Sequence, residues 1–219
     1  MNKKTIYQVI VDQSGSMTGS EKQVVDGFNE KTQAVKNIQK DFPNQEIVMG
    51  LRFFNTIVDN NTVDFKPVNQ IEPLSIHTYN PNGGTALLDA IGKSIYDIKT
   101  KFGHEIEENL ATVVLIIITD GYENTSRFYT YPDIRRMINE LEATEKWNFN
   151  FIGADLDAME ASKNFGIHHQ AQMSINKEEY ASFCATNFEK AARNYASEKS
   201  MDRKSSGFFS IFDKKDLRK

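Results

Sequence analysis

Asp12, Ser14 and Ser16 alternate in the stretch Asp12-Gln13-Ser14-Gly15-Ser16. Alternate side chains of an extended turn point to one side, so a carboxylate and two hydroxyls face the same way. Far along the chain, Gly83-Gly84-Thr85 offers a third hydroxyl at a helix start. Thr119-Asp120-Gly121 adds a second carboxylate where the most apolar segment stops. Two carboxylates and three hydroxyls, with no His or Cys among them, form an oxygen-only ligand set that suits a hard cation. The small side chains favour the compact octahedral ion Mg²⁺ over its alternatives, Mn²⁺ and, less comfortably, Ca²⁺. Two carboxylates just neutralise a divalent cation, and hydroxyls donate weakly. The ion would stay electrophilic and welcome an anionic group, such as a carboxylate of another protein, at an open position.

The segments that must position these groups alternate between strand and helix patterns. Ile6–Val11 is a nearly continuous apolar, β-branched run, the pattern of a strand buried on both faces. Val24, Val25, Phe28, Val35 and Ile38 recur at helical spacing over about 20–39, before Asp41-Phe42-Pro43-Asn44. Ile47–Phe54 and Thr56–Phe65 read as two strands joined tightly at Asn55, a hairpin. Leu87, Leu88, Ile91, Ile95 and Ile98 stripe a helix over Ala86–Phe102. Ala111–Thr119 and Trp147–Ala154 read as strands, with a helix between them over about Pro132–Lys146 and Pro132 in its first turn. A short helix over Asp155–Phe165 follows. A long helix over Asn176–Glu198 comes last, with Tyr180, Phe183, Cys184, Phe188 and Ala191 towards the core.

That order predicts an α/β fold: a doubly wound, mostly parallel central sheet with one antiparallel edge strand and helices on both faces. Ligands of such sheets sit beyond the carboxyl ends of the strands, where Asp12 and Asp120 end their segments. With no internal repeat and no low-complexity linker, residues 1–200 read as a single domain and 201–219 as a basic, Phe-containing tail.

The 219 residues hold 26 Lys+Arg against 30 Asp+Glu, a net charge of −4, so no overall basic excess marks a nucleic-acid binder. The single cysteine, Cys184, excludes an intramolecular disulfide and a multi-Cys zinc site. Val113–Ile118, the longest apolar run, is too short to span a bilayer, and Met1-Asn2-Lys3-Lys4 leads into no cleavage site. The expectation is a cytoplasmic protein. His77, His104, His168 and His169 lack the spacing of a helical zinc pair and read as loop or surface residues.

The three loops together, D-x-S-x-S at 12–16, Gly84-Thr85 and Thr119-Asp120-Gly121, resemble the von Willebrand factor A (VWA) domain family. In that family such a motif, a distant Thr and a distant Asp form a metal-ion-dependent adhesion site (MIDAS). The resemblance covers about residues 5–195 and lacks no motif position. It implies a Rossmann-like VWA fold in which Ser14, Ser16 and Thr85 contact the metal through their hydroxyls, while Asp12 and Asp120 bind directly or through water. It also implies a metal-dependent interaction module, not an enzyme, that binds an Asp or Glu of another protein through Mg²⁺. The stretch Thr85–Gly92 looks like the cytosolic bacterial branch rather than integrins.

Two other functions fit parts of the pattern. One is a structural subunit with a silent metal site. The other is a phosphatase-like, metal-dependent hydrolase using Asp12. Hydrolases resembling the haloacid dehalogenase group need a second acid two residues after the nucleophile, where this chain has Ser14. The phosphate-loop and G-x-S-x-G motifs are also missing from the sequence. Around the motif, Glu123 and Asn124 read as solvated loop residues, Met17 as packing under its loop, Asp157 as a helix cap and Cys184 as a small core residue. Phe208, Phe209, Ile211 and Phe212 of the tail would either dock a partner or an anionic surface, or fold back on the domain.

Overall fold

Residues 5–12 and 113–119 are buried without a break, and strands of that kind have to be covered on both faces. The computed structural model describes residues 3–59, 62–119, 122–153, 180–201 and 208, with the backbone alone for 180–187. Its strands are β1 (Lys3–Asp12), β2 (Gln45–Phe54), β3 (Val63–Pro67), β4 (Ala111–Thr119) and β5 (Trp147–Gly153). Its helices are α1 (Glu21–Asp41), α2 (Leu87–Glu107), α3 (Tyr131–Glu142) and α4 (Tyr180–Ser200).

The sheet runs β3-β2-β1-β4-β5. β1 is parallel to both of its neighbours, β5 is parallel to β4, and β3 lies antiparallel on the edge beside β2. Alternate side chains build two cores. Ile6, Ile10, Leu115, Ile117 and Phe149 pack beneath α2 and α3. Tyr7, Val9, Met49, Leu51 and Ile116 pack beneath α1 and α4. The architecture is the α/β sheet that the alternating pattern implies.

Several boundaries differ from the sequence reading, each for a local reason. The chain turns tightly at Asn55, with Phe54 bridged antiparallel to Val58, but β3 starts only at Val63 and residues 55–59 form a loop. That loop is committed elsewhere: the Asn55 carbonyl accepts the Ala86 N–H at 2.8 Å, and the Thr56 hydroxyl accepts the Gly84 N–H at 2.7 Å. α2 runs on to Glu107. α3 stops at Glu142 and begins at a capping box, in which the Asp133 N–H donates to the Thr130 hydroxyl and the Thr130 N–H to the Asp133 carboxylate. The expected helix over 155–165, Asp157 and the side chains of Tyr180, Phe183 and Cys184 lie outside the described residues. In the tail, Phe208 is buried against Tyr7, Phe188 and Tyr195, at ring-centroid distances of 6.0, 5.5 and 5.7 Å. His77 and His104 are exposed. Among the described residues, no helix is long and apolar enough to cross a membrane.

Candidate metal centre

β1 and β4 lie side by side at the point where the strand order reverses, and their carboxyl ends are Asp12 and Thr119. Asp12 is fully enclosed, at 0% exposure. Its Oδ1 accepts the Ser14 N–H at 2.7 Å, and its Oδ2 accepts the Thr119 hydroxyl. Its carbonyl accepts the hydroxyl of Tyr79, a buried residue set edge-on against Phe53 at 5.4 Å. These bonds fix the orientation of the Asp12 carboxylate.

Beyond Asp12 the first loop is clamped from both sides. The Gln13 N–H donates to the Phe54 carbonyl at 2.7 Å, and the Gly15 N–H to the Gly83 carbonyl at 3.0 Å. Ser14 is buried in extended backbone before the single turn Gly15–Met17, and Met17 is buried beneath that turn. The turn brings the Ser14 and Ser16 hydroxyls to 3.0 Å from one another. That distance is a hydrogen bond between the two hydroxyls, and it also suits two oxygens sharing one divalent cation. Adjacent corners of an octahedron with metal–oxygen distances of about 2.0–2.1 Å are about 2.8–3.0 Å apart. The hydroxyl pair, with the oriented carboxylate beside it, fits a hard divalent cation held by oxygen.

The second loop turns through Gly83, whose φ of +73° belongs to the left-handed region. Thr85 is 3% exposed. Its N–H donates to the Asn124 side-chain oxygen at 2.9 Å, and its carbonyl accepts the Asn124 and Thr125 N–H groups at 3.0 and 3.3 Å. α2 has Ala86 at its N-cap and no side-chain cap of its own. Its orphan donors are met from the loop after β4: Leu88 N–H donates to Glu123 Oε2 at 2.9 Å, and Asp89 N–H to the Ser126 hydroxyl at 3.1 Å. Glu123 Oε1 also takes the Thr125 and Ser126 N–H groups, at 2.9 and 2.7 Å. An acidic group at a helix N-terminus is favourable in itself. Glu123 is half-buried and Asn124 exposed, yet both do more than face water, since they tie the third loop to the second.

The first three predicted ligands, Asp12, Ser14 and Ser16, are drawn together, and the loop of Thr85 is joined to theirs through Gly15 and Gly83. Asp120 lies outside the described residues; its neighbour Thr119 is the residue that bonds Asp12. Among the described residues, no three His, Cys, Asp or Glu side chains gather as metal ligands, and this donor set is chiefly hydroxyl. Sequence reasoning missed Tyr79, Asp89 and Thr119. Only Thr119, next to Asp120, carries any local signal.

Gly84 tests this clamp. A Cβ there would come within 2.6 Å of Thr125 Cγ2 and 2.7 Å of Asn124 Oδ1. Gly84→Ala is expected to cost about 1–3 kcal/mol of stability in urea unfolding, by pushing Asn124 off the Thr85 N–H.

The topology, with α2 and α3 on one face of the sheet and α1 and α4 on the other among the described residues, is similar to that of VWA domains. Among solved structures the chain is similar to the SpRpn10 VWA domain, with a TM-score of 0.53 and 12% identity over 78% of this chain and 84% of that one. It is also similar to the PilB minor pilin from Streptococcus sanguinis, with a TM-score of 0.63 and 11% identity over 89% of this chain and 62% of that one. Proximal thread matrix protein 1 from the mussel byssus gives a TM-score of 0.55 and 15% identity, over 87% of this chain and 46% of that one. The chain thus spans less than two thirds of the pilin and of the byssal protein. At these identities the likeness is one of fold. No protein-family model matches the chain, and no curated protein matches it.

Proposed function

We propose that this chain is a metal-dependent protein-interaction module whose carboxyl-edge loops hold Mg²⁺ in a MIDAS and so bind an Asp or Glu of another protein. The carrying observation is the Ser14–Ser16 hydroxyl pair at 3.0 Å, beside an enclosed Asp12 carboxylate oriented by Ser14 and Thr119. Ser14, Ser16 and Thr85 would hold the ion through their hydroxyls, and Asp12 and Asp120 directly or through water. Bound there, the ion supplies an electrophilic corner for a partner's carboxylate. The VWA-type fold supports an interaction role. A non-enzymatic role belongs to the same proposal, since Ser14 stands where hydrolases of the haloacid dehalogenase type need a second acid. A cytoplasmic location belongs to the same proposal and rests on the likeness of 85–92 to cytosolic bacterial VWA proteins.

Calorimetric titration with MgCl₂ or MnCl₂ tests the centre. The wild type is expected to bind, while Asp12→Ala, Thr85→Ala and Ser16→Ala lose binding. Ser16 is exposed, so its truncation spares the fold and separates lost ligation from lost structure. Magnesium at about a hundredfold excess over Kd should raise the unfolding free energy by about 2.7 kcal/mol, an increment that chelator removes. A wild type indifferent to both cations overturns the proposal. Hydrolysis of a simple phosphate ester that Asp12→Asn abolishes would restore the phosphatase reading.

A further inference from the structure

A cavity of about 740 Å³ opens beside the candidate metal centre, between residues 56–58 and 125–129. Thr56, Ile57, Val58, Lys93, Arg127 and Phe128 form much of its lining, which is mainly apolar. Its volume falls within the range of about 300–1,000 Å³ usual for ligand pockets. Ile57 and Phe128 on its rim are 69% and 84% exposed. Single exposed apolar side chains are ordinary on a protein surface. Here Ile57, Tyr122 and Phe128 all stand on loops that leave the carboxyl ends of β2 and β4, and such clustering marks an interaction surface.

The charge of the cavity indicates what it would take. Arg127 is exposed and has no ion-pair partner among the described residues. Lys93 reaches Asp97 only at 3.5 Å, and that carboxylate is bonded more closely by Arg52. The one carboxylate among the described residues of the wall, Asp89, is turned onto the Arg127, Phe128 and Tyr129 N–H groups. The cavity also shares walls with the second metal loop. Thr56 takes the Gly84 N–H, and the Thr125 N–H donates to the Thr85 carbonyl.

We propose that this cavity receives an aromatic or aliphatic side chain from an acidic segment of a partner protein, with Arg127 and Lys93 facing the acidic groups of that segment. The partner carboxylate at the metal centre rests on the function proposed above; the occupant of the cavity does not. A lone Asp or Glu is present on nearly every protein surface, so the metal contact alone selects little. A buried apolar anchor beside it supplies selectivity, as the few dominant residues of an interface do.

The test uses the full chain and a displayed library of random linear peptides, selected in Mg²⁺. Enriched peptides are expected to pair a bulky apolar residue with Asp or Glu. Their affinity should fall about tenfold or more in Ile57→Ser and in Arg127→Glu, two exposed positions whose variants keep the wild-type melting temperature. Peptides lost in chelator and in Ser16→Ala, yet indifferent to Ile57→Ser and Arg127→Glu, overturn the cavity and leave the metal reading standing. Peptides lost in the cavity variants but indifferent to chelator support the cavity and overturn the metal reading. A library that yields no binder, or binders without the apolar–acidic pairing, overturns the proposal.

Discussion

Asp89→Ala is expected to lower the unfolding free energy by about 3 kcal/mol and to loosen the loop after β4. Asp89 lies in the first turn of α2 at 6% exposure. Its Oδ2 accepts the Arg127 N–H at 2.8 Å, and its Oδ1 accepts those of Phe128 and Tyr129 at 2.9 and 3.0 Å. Three successive amides thus converge on one fixed anion. Alanine would strip the acceptor from all three. Each orphaned buried donor costs about 1–3 kcal/mol, but Arg127 and Phe128 are exposed residues whose amides recover water, so the total stays below the sum. Asp89→Asn keeps the shape and one acceptor oxygen, and should cost about half as much. Urea unfolding gives the energies, and hydrogen exchange at residues 127–129 shows whether the loop is what loosens. An Asp89→Ala protein within about 0.5 kcal/mol of wild type, the range of ordinary surface changes, would show that the loop holds without its anchor. Because the same loop carries Glu123 and Asn124, the substitution should also weaken cation binding although it removes no ligand.

What was legible in the sequence was local. β1 and β4 announce themselves as unbroken apolar runs because both their faces are covered, and a stripe such as Ile91, Ile95 and Ile98 marks the buried side of α2. The Asp12-x-Ser14-x-Ser16 spacing is local too, although the single turn at Gly15–Met17, and not extended backbone, is what brings the two hydroxyls together. The remainder depends on partners distant in the chain. The start of α2 is met by Glu123 and Ser126, which lie 35 and 37 positions from the amides they accept. Glu123 and Asn124 look like any polar loop pair until those partners are known. The alternation in 56–65 suggested a strand, but Gly84 and Ala86 take hold of Thr56 and Asn55, and tertiary bonds outweigh local pattern.

The chain is expected to gain about 2 kcal/mol of stability between pH 7 and pH 9, and Lys199→Met should remove most of that gain. Lys199 comes from α4 and is 8% exposed. Its Nζ donates to the Lys4 carbonyl at 2.9 Å, the Thr5 hydroxyl at 3.0 Å and the Thr112 hydroxyl at 2.6 Å, with the Tyr195 ring 5.7 Å away. These acceptors are all neutral. Burial, reinforced by the positive charge of Lys3, holds the Lys199 ammonium down to about 7 from its ordinary 10.5. The unfolded chain keeps that proton up to the ordinary value, whereas the folded chain releases it near neutrality. Between the two pH values the unfolded state binds more protons, so raising the pH favours folding, by at most about 1.4 kcal/mol per pH unit. Below about pH 6 both states are protonated and the contribution is constant. Tyr7 and Tyr195, pushed upward by burial, act in the opposite sense, but only as the pH nears their ordinary value of 10.0, which sets the upper end of the window. Urea unfolding of both proteins at pH 7 and pH 9 decides the matter. A flat wild-type profile, or a Lys199→Met protein that rises as steeply as the wild type, would mean that the buried ammonium is as well satisfied by its three oxygens as by water.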